Sequence, residues 1–220
     1  MERVNEPKTH AERLLVRYFD ERGWSRGADW VYEPVFEDRR RRPDFRLRLG
    51  GWKLMLEVKE FGRAESAPDG PRRGRHARIA AKIHLAQRQL REFQKDHICA
   101  AVLRSGEDED ADVSDPAVTM GALLRDAAFA ARPDAREPRI GRHACPGDPP
   151  VAAVLALTEQ RGSVGVTIVE HPLAQPRFPS HLFRAARDVH WALREGGLER
   201  TFVGAALEET EAALAAPSAA

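Results

Sequence analysis

Cysteine is nearly absent from this chain of 220 residues, and its two examples, Cys99 and Cys145, stand far apart. That excludes a disulfide-built scaffold and leaves neither thiol a neighbour for a zinc knuckle or redox pair. Long apolar runs are missing too. The longest, Val151 to Leu157, is far too short to span a bilayer, and Met1 to His10 is polar with no signal segment. These absences point to a reduced, cytoplasmic protein with no membrane partner. No G-x-S-x-G, P-loop or dinucleotide fingerprint occurs, and no internal repeat. Eight His are scattered, and His76, His84 and His97 lack metal-ligand spacing on one face.

Net charge is also small, +1 from 35 basic and 34 acidic side chains, which by itself argues against a nucleic-acid partner. The average conceals a segregation. Residues 1–38 carry 6 basic and 9 acidic groups, residues 39–104 carry 18 and 7, and residues 105–220 carry 11 and 18. One third of the chain is therefore strongly cationic, as a polyanion partner requires. The remaining composition, 42% hydrophobic and 31% charged, suits one large domain with a buried core.

The chain opens with a capping box at Thr9 and Glu12, and Ala11, Leu14, Leu15, Tyr18 and Phe19 follow at helical spacing until Gly23. Strands are predicted over Asp29–Phe36, Pro43–Leu49 and Trp52–Phe61. A loop, Gly62 to Arg75, leads into a helix reaching about Lys95, with Ile79, Ile83, Ala86, Leu90 and Phe93 as its apolar stripe. His97 to Leu103 reads as a strand buried on both faces. Ser105–Asp115 is an acidic linker, Ala117–Ala130 a predicted helix and Ala131–Pro150 irregular. Val151–Leu157 and Ser163–Glu170 read as strands, Pro179–Arg194 as a helix. The order helix, three strands, helix, buried strand implies a mixed sheet carrying a crossover helix.

Gly50-Gly51 fixes a register for the hairpin it joins. Leu49 faces Trp52, Leu47 faces Leu54 and Phe45 faces Leu56, giving one apolar surface. On the other face Arg48 meets Lys53, Arg46 meets Met55 and Asp44 meets Glu57, with Lys59 on the same side. Opposed carboxylates with Cβ atoms ~5 Å apart repel each other. A divalent cation between them removes that penalty, and hard oxygen ligands suit Mg2+ or Mn2+. Lys59 is one of only five Lys beside 30 Arg, and unlike arginine a lysine can give up its proton.

Pro43-Asp44 followed by Glu57-Val58-Lys59 resembles the signature of the PD-(D/E)XK phosphodiesterase superfamily. The likeness extends over Thr9 to Leu103, a little under half the chain. It implies an α/β fold of the restriction-endonuclease type, a mixed central sheet flanked by helices with an α-β-β-β-α-β core. That core would occupy residues 1–104. Residues 105–204 would form an α+β C-terminal extension completing the same domain, and 205–220 an Ala-rich tail.

The resemblance further implies a metal-dependent nuclease that hydrolyses DNA phosphodiesters, with RNA as the rival substrate. Asp44, Glu57 and the Val58 carbonyl would hold Mg2+ or Mn2+, and Lys59 would position or deprotonate the attacking water. Relatives often add a helix Glu that binds metal through water. Glu12 and Glu21 are the candidates here, Glu12 being better placed although its capping role competes. Lys82 or Gln89, on the flank of the crossover helix, would face the site. Arg39, Arg40, Arg41 and Arg42 precede the motif, and Arg72, Arg73, Arg75 and Arg78 start the helix. Both clusters are expected to grip phosphates, whereas Arg46, Arg48 and Arg91 read as a solvated face. With no separate recognition module, specificity would come from loops, the C-terminal half, a homodimer or a partner protein. The competing reading is a catalytically silent relative that binds nucleic acid or protein, against which the intact Asp44, Glu57 and Lys59 set argues.

Overall fold

A computed structural model describes residues 5–37, 39–61, 71–105, 113–124, 151–160, 162–195 and 197–207, the side chains of 71–75 excepted. Its elements are α1 (His10–Glu21), β1 (Trp30–Tyr32), β2 (Phe45–Leu49), β3 (Trp52–Glu60), α2 (Pro71–Leu90), β4 (Ile98–Arg104), α3 (Pro116–Leu124), β5 (Ala153–Gln160), β6 (Ser163–Glu170), β7 (Val189–Arg194) and β8 (Gly197–Val203). The eight strands form one mixed sheet in chain order. β1, β2 and β3 are antiparallel, β4 lies parallel to β3, and β5 parallel to β4. β6 turns back antiparallel, β7 runs parallel to it, and β8 closes the edge antiparallel.

Alternation along each strand divides the core between the two faces of the sheet. Phe45, Leu47, Leu54, Leu56 and Val58 pack with Leu14, Leu15, Tyr18 and Phe19 of α1. Met55, Cys99, Ala101 and Leu103 pack on the opposite face with Ile79, Ile83, Ala86 and Leu90 of α2 and with Met120 of α3. Thr9 closes the predicted capping box, its hydroxyl accepting from the Glu12 N–H while the Glu12 carboxylate accepts from the Thr9 N–H. The hairpin register is as expected, with Leu49 opposite Trp52 and Phe45 opposite Leu56. Gly50 and Gly51 have φ of +53° and +85°, the left-handed pair that a two-residue turn of this kind requires. Trp52 departs from the expectation: it sits at the turn, 37% exposed, and meets His181 edge-on.

Other boundaries move for identifiable reasons. β1 is only three residues long, and Glu33 just after it has φ of +43°, which turns the chain out of the ladder. α2 begins at Pro71, within the expected loop, because a proline at the first helical position forfeits no hydrogen bond. It ends at Leu90, five residues early, in a series of turns that leads to β4.

The clearest correction is Pro179–Arg194. It is no helix: a 3-10 turn, Ser180–Leu182, is followed by β7. Buried His190 and Ala192 alternate with half-buried Val189, Trp191 and Leu193, which is a period of two. α3 occupies Pro116–Leu124; the rest of the helix expected to Ala130, the irregular 131–150 and residues 208–220 of the tail lie outside the described residues. No helix among the described residues is long and apolar enough to cross a membrane.

Candidate active site on the β2–β3 hairpin

Asp44 stands one residue before β2, and the register carried one step past Phe45–Leu56 sets it across from Glu57. Its Oδ2 accepts from the Val58 N–H at 2.7 Å, while its own carbonyl accepts from the Glu33 N–H at 2.8 Å. Glu57 lies in the middle of β3, 1% exposed, on the face that carries Met55 and α2. Lys59 points the same way and its Nζ donates to Glu57 Oε1 at 2.5 Å. Among the described residues, Glu57 Oε2 is buried with no hydrogen-bond partner. The three residues singled out in the sequence are thus brought together.

Both carboxyl groups feel the burial. It pushes the Glu57 carboxyl well above its usual range, Asp44 pushes the same way, and Lys59 opposes. Burial likewise raises the Asp44 carboxyl, against the pull of the Val58 N–H and Lys59, while Glu12 and Glu33 add to the rise. Two acids share one amine in a desolvated corner, so ionising both is penalised and each carboxyl keeps its proton to a higher pH than usual.

Pro43 adds a feature that the sequence reading missed. A strand residue aims its N–H and C=O to the same side, so the Val58 carbonyl points toward β2, as its N–H does. The residue that would answer it across the ladder is Pro43, which has no N–H to give. The signal was in the sequence, since a proline opposite a ladder position frees one acceptor. The Val58 carbonyl is the one the resemblance gives to the metal.

Among the described residues no group of three or more His, Cys, Asp or Glu side chains is arranged to hold a metal ion. The candidate set is therefore two carboxylates and a backbone carbonyl, with water completing the shell as Mg2+ prefers. Hard oxygen donors, one of them an orphaned buried carboxylate oxygen, fit such a cation. Glu12 is committed elsewhere: its Oε2 accepts from the Lys8 N–H at 2.6 Å, the Thr9 N–H at 2.8 Å and the Tyr32 hydroxyl at 3.1 Å. It still contributes negative potential at Asp44.

The expected phosphate contacts divide. Arg78 and Lys82 sit over the Phe61 ring, at 5.8 and 5.6 Å, directly beyond the end of β3 that carries Lys59. Gln89 lies seven residues further along α2, ~10 Å back, and the carbonyl of its neighbour Leu90 meets Cys99 across from Met55. Lys82, not Gln89, is the one near the site. Arg39 is tied down: it pairs with Asp96, donates to the Glu92 carbonyl and stacks on Phe93. Arg40 and Arg42 are exposed and Arg41 half-buried. Arg72, Arg73 and Arg75 belong to the first turns of α2, and their side chains lie outside the described residues. Comparisons with protein-family models, curated proteins and solved structures find no match for this chain.

Proposed function

We propose that this chain is a metal-dependent nuclease that hydrolyses DNA phosphodiesters, built around a restriction-endonuclease-like core. The observation that carries the reading is Glu57: a buried acid facing Asp44, bonded to Lys59 through one oxygen and left without a donor at the other. A fold gains nothing from such an arrangement by itself, because an unsatisfied buried carboxylate oxygen costs stability. The order of α1, three antiparallel strands, α2 and a parallel β4 also agrees with the resemblance.

Asp44, Glu57 and the Val58 carbonyl would hold the cation. Bound Mg2+ or Mn2+ would supply Lewis-acid polarisation of the phosphate, a more acidic water and charge neutralisation at the leaving oxygen. Lys59, held beside the acids by its hydrogen bond to Glu57 Oε1, would orient the attacking water or accept its proton. The water oxygen bonds to phosphorus, one ester bond breaks, and the departing alkoxide takes a proton. Arg78 and Lys82 meet the phosphates beside the cleaved bond.

The test is degradation of plasmid and single-stranded DNA with Mg2+ or Mn2+, alongside parallel RNA and the Asp44→Ala variant. Metal-dependent cleavage lost in the variant is expected. A second reading, a silent nucleic-acid-binding module, draws on the Lys59–Glu57 ion pair, which partly satisfies the acid without metal. Tight DNA binding with no cleavage under any metal would replace the first reading with the second.

A further inference from the structure

On the hairpin face that carries Asp44 and Glu57, the positions toward the turn are Arg46 and Arg48 on β2 and, beyond buried Met55, Lys53 on β3. Arg46 and Arg48 alternate with Asp44 on β2, and Lys53 is the Cα partner of Arg48 across the ladder. Arg48 and Lys53 are both exposed and directly opposed, a like-charge pair that weakens the hairpin. Among the described residues no carboxylate pairs with Arg46, Arg48 or Lys53. The nearby acid, Asp96, is taken by Arg39. Arg46 lies against the Phe36 ring at 6.0 Å, and its Nε is buried without an acceptor. His97, next to the start of β4, senses the same field. Burial holds its imidazole below the usual value, and Arg39, Lys53 and Arg46 lower it further against Asp96.

We propose that Arg46, Arg48 and Lys53 form a phosphate-binding site that fixes the substrate strand upstream of the acid pair. The inference rests on the nuclease reading and assigns the strand a path across the hairpin. Successive same-face positions on a strand are ~7 Å apart, so the Arg48–Lys53 row stands ~14 Å from the acid row. That is the axial rise of roughly four phosphates on one strand of duplex DNA. The backbone would enter over the hairpin tip, pass Arg46, reach the acids and leave past Lys82 and Arg78. Three unpaired cations on a ladder face are costly to the fold and useful to a polyanion. Their alternation with Asp44 places the ligand on the same face as the chemistry.

The experiment measures binding of a short DNA duplex in chelator, so that cleavage plays no part, across a series of salt concentrations. Arg48→Gln/Lys53→Gln replaces two exposed side chains and leaves the core untouched; Arg46→Lys serves as a second variant. Expected for the double variant are ~5–10-fold weaker binding and a salt slope reduced by about 1–2, one phosphate contact accounting for about 0.9. Arg177→Gln, an exposed charge on the loop whose Phe178 packs in the α1-side core, is expected to change neither. An unchanged slope in the double variant overturns this site and leaves the nuclease reading standing. A wild-type protein that binds no DNA in chelator also overturns this site, and metal-dependent cleavage of plasmid decides the nuclease reading separately.

Discussion

Glu57 and Lys59 stand two residues apart on β3 and meet at 2.5 Å, so the amine satisfies one oxygen of a buried carboxylate whose other oxygen has no donor among the described residues. The pair is half of a site: enough charge to keep Glu57 tolerable, and one ligand position left open. Stability and the proposed catalysis therefore make different demands on residue 59.

Replacing Lys59 with Met removes the partner of a group only 1% exposed. Stripping one member from a buried pair costs up to ~3–5 kcal/mol. Here Glu57 can escape by taking a proton, so a loss of about 1–2 kcal/mol at neutral pH is expected, shrinking in acid. Lys59→Arg restores the charge, and with it most of the stability, but cannot pass a proton. Urea melts and a cleavage assay on both variants check this. If Lys59→Arg cleaves as fast as wild type, proton transfer through residue 59 is wrong.

Acid should stabilise the metal-free protein through the same corner. The Asp44 and Glu57 carboxyls are both raised above their usual range by burial. A raised carboxyl means that the native state holds protons the unfolded chain has already lost. The associated stability is fully present below the unfolded value near 4 and is lost as pH climbs through the raised native values. Asp44→Asn/Glu57→Gln has nothing to lose in that window. With chelator present, the melting temperature of the double variant minus that of wild type should grow from about pH 4 to about pH 8. A flat difference would show that the carboxyls titrate normally, and saturating Mg2+ should remove most of the trend in wild type.

Glu12 separates a structural acid from a metal-binding one. Its Oε2 closes the cap of α1 and accepts from Tyr32. Glu12→Ala should lose about 1–2 kcal/mol, the worth of a cap and a buried hydrogen bond. The thermal stabilisation that the protein gains from Mg2+ or Mn2+ should survive in this variant, because Asp44, Glu57 and Val58 are intact. Scanning calorimetry with and without the cation decides. Disappearance of the cation shift would promote Glu12 to a ligand through water.

The N-terminal half was legible because its signals are local. Gly50-Gly51 set the ladder, period-two alternation put Phe45 and Leu47 on one face and Asp44 and Arg46 on the other, and Thr9 with Glu12 marked the start of α1. The Arg39 ion pair was not legible, because its partner, Asp96, is brought close only by the fold of α2 against β4. The segment after Pro179 misled for the same kind of reason. A proline followed by Leu182, Phe183, Ala185 and Ala186 imitates a helix start, yet Asp188, which closes the turn on the Ala185 N–H, is anchored by Tyr18 of α1 and Val166 of β6, far away in the chain. No window of sequence contains that information.

Asp188 supplies the last prediction. It is fully buried and accepts from the Tyr18 hydroxyl and the Ala185 N–H at 2.7 Å each, the Val166 N–H at 3.1 Å and Arg22 at 3.4 Å. One carboxylate thus ties α1 to β6 and to the turn that launches β7. Asp188→Ala would strand these donors, one of them charged, at a cost of ~3–5 kcal/mol. For a domain of this size that lowers the melting temperature by roughly 6–20 °C. Asp188→Asn keeps an acceptor but loses the charge, and should fall between. The loss is one of folding, not of chemistry, so cleavage per folded molecule should be retained at low temperature in the Asp188 variants and abolished in Asp44→Ala. A drop under ~1 kcal/mol on Asp188→Ala would mean that its donors find other acceptors and that α1 is held by its apolar face alone.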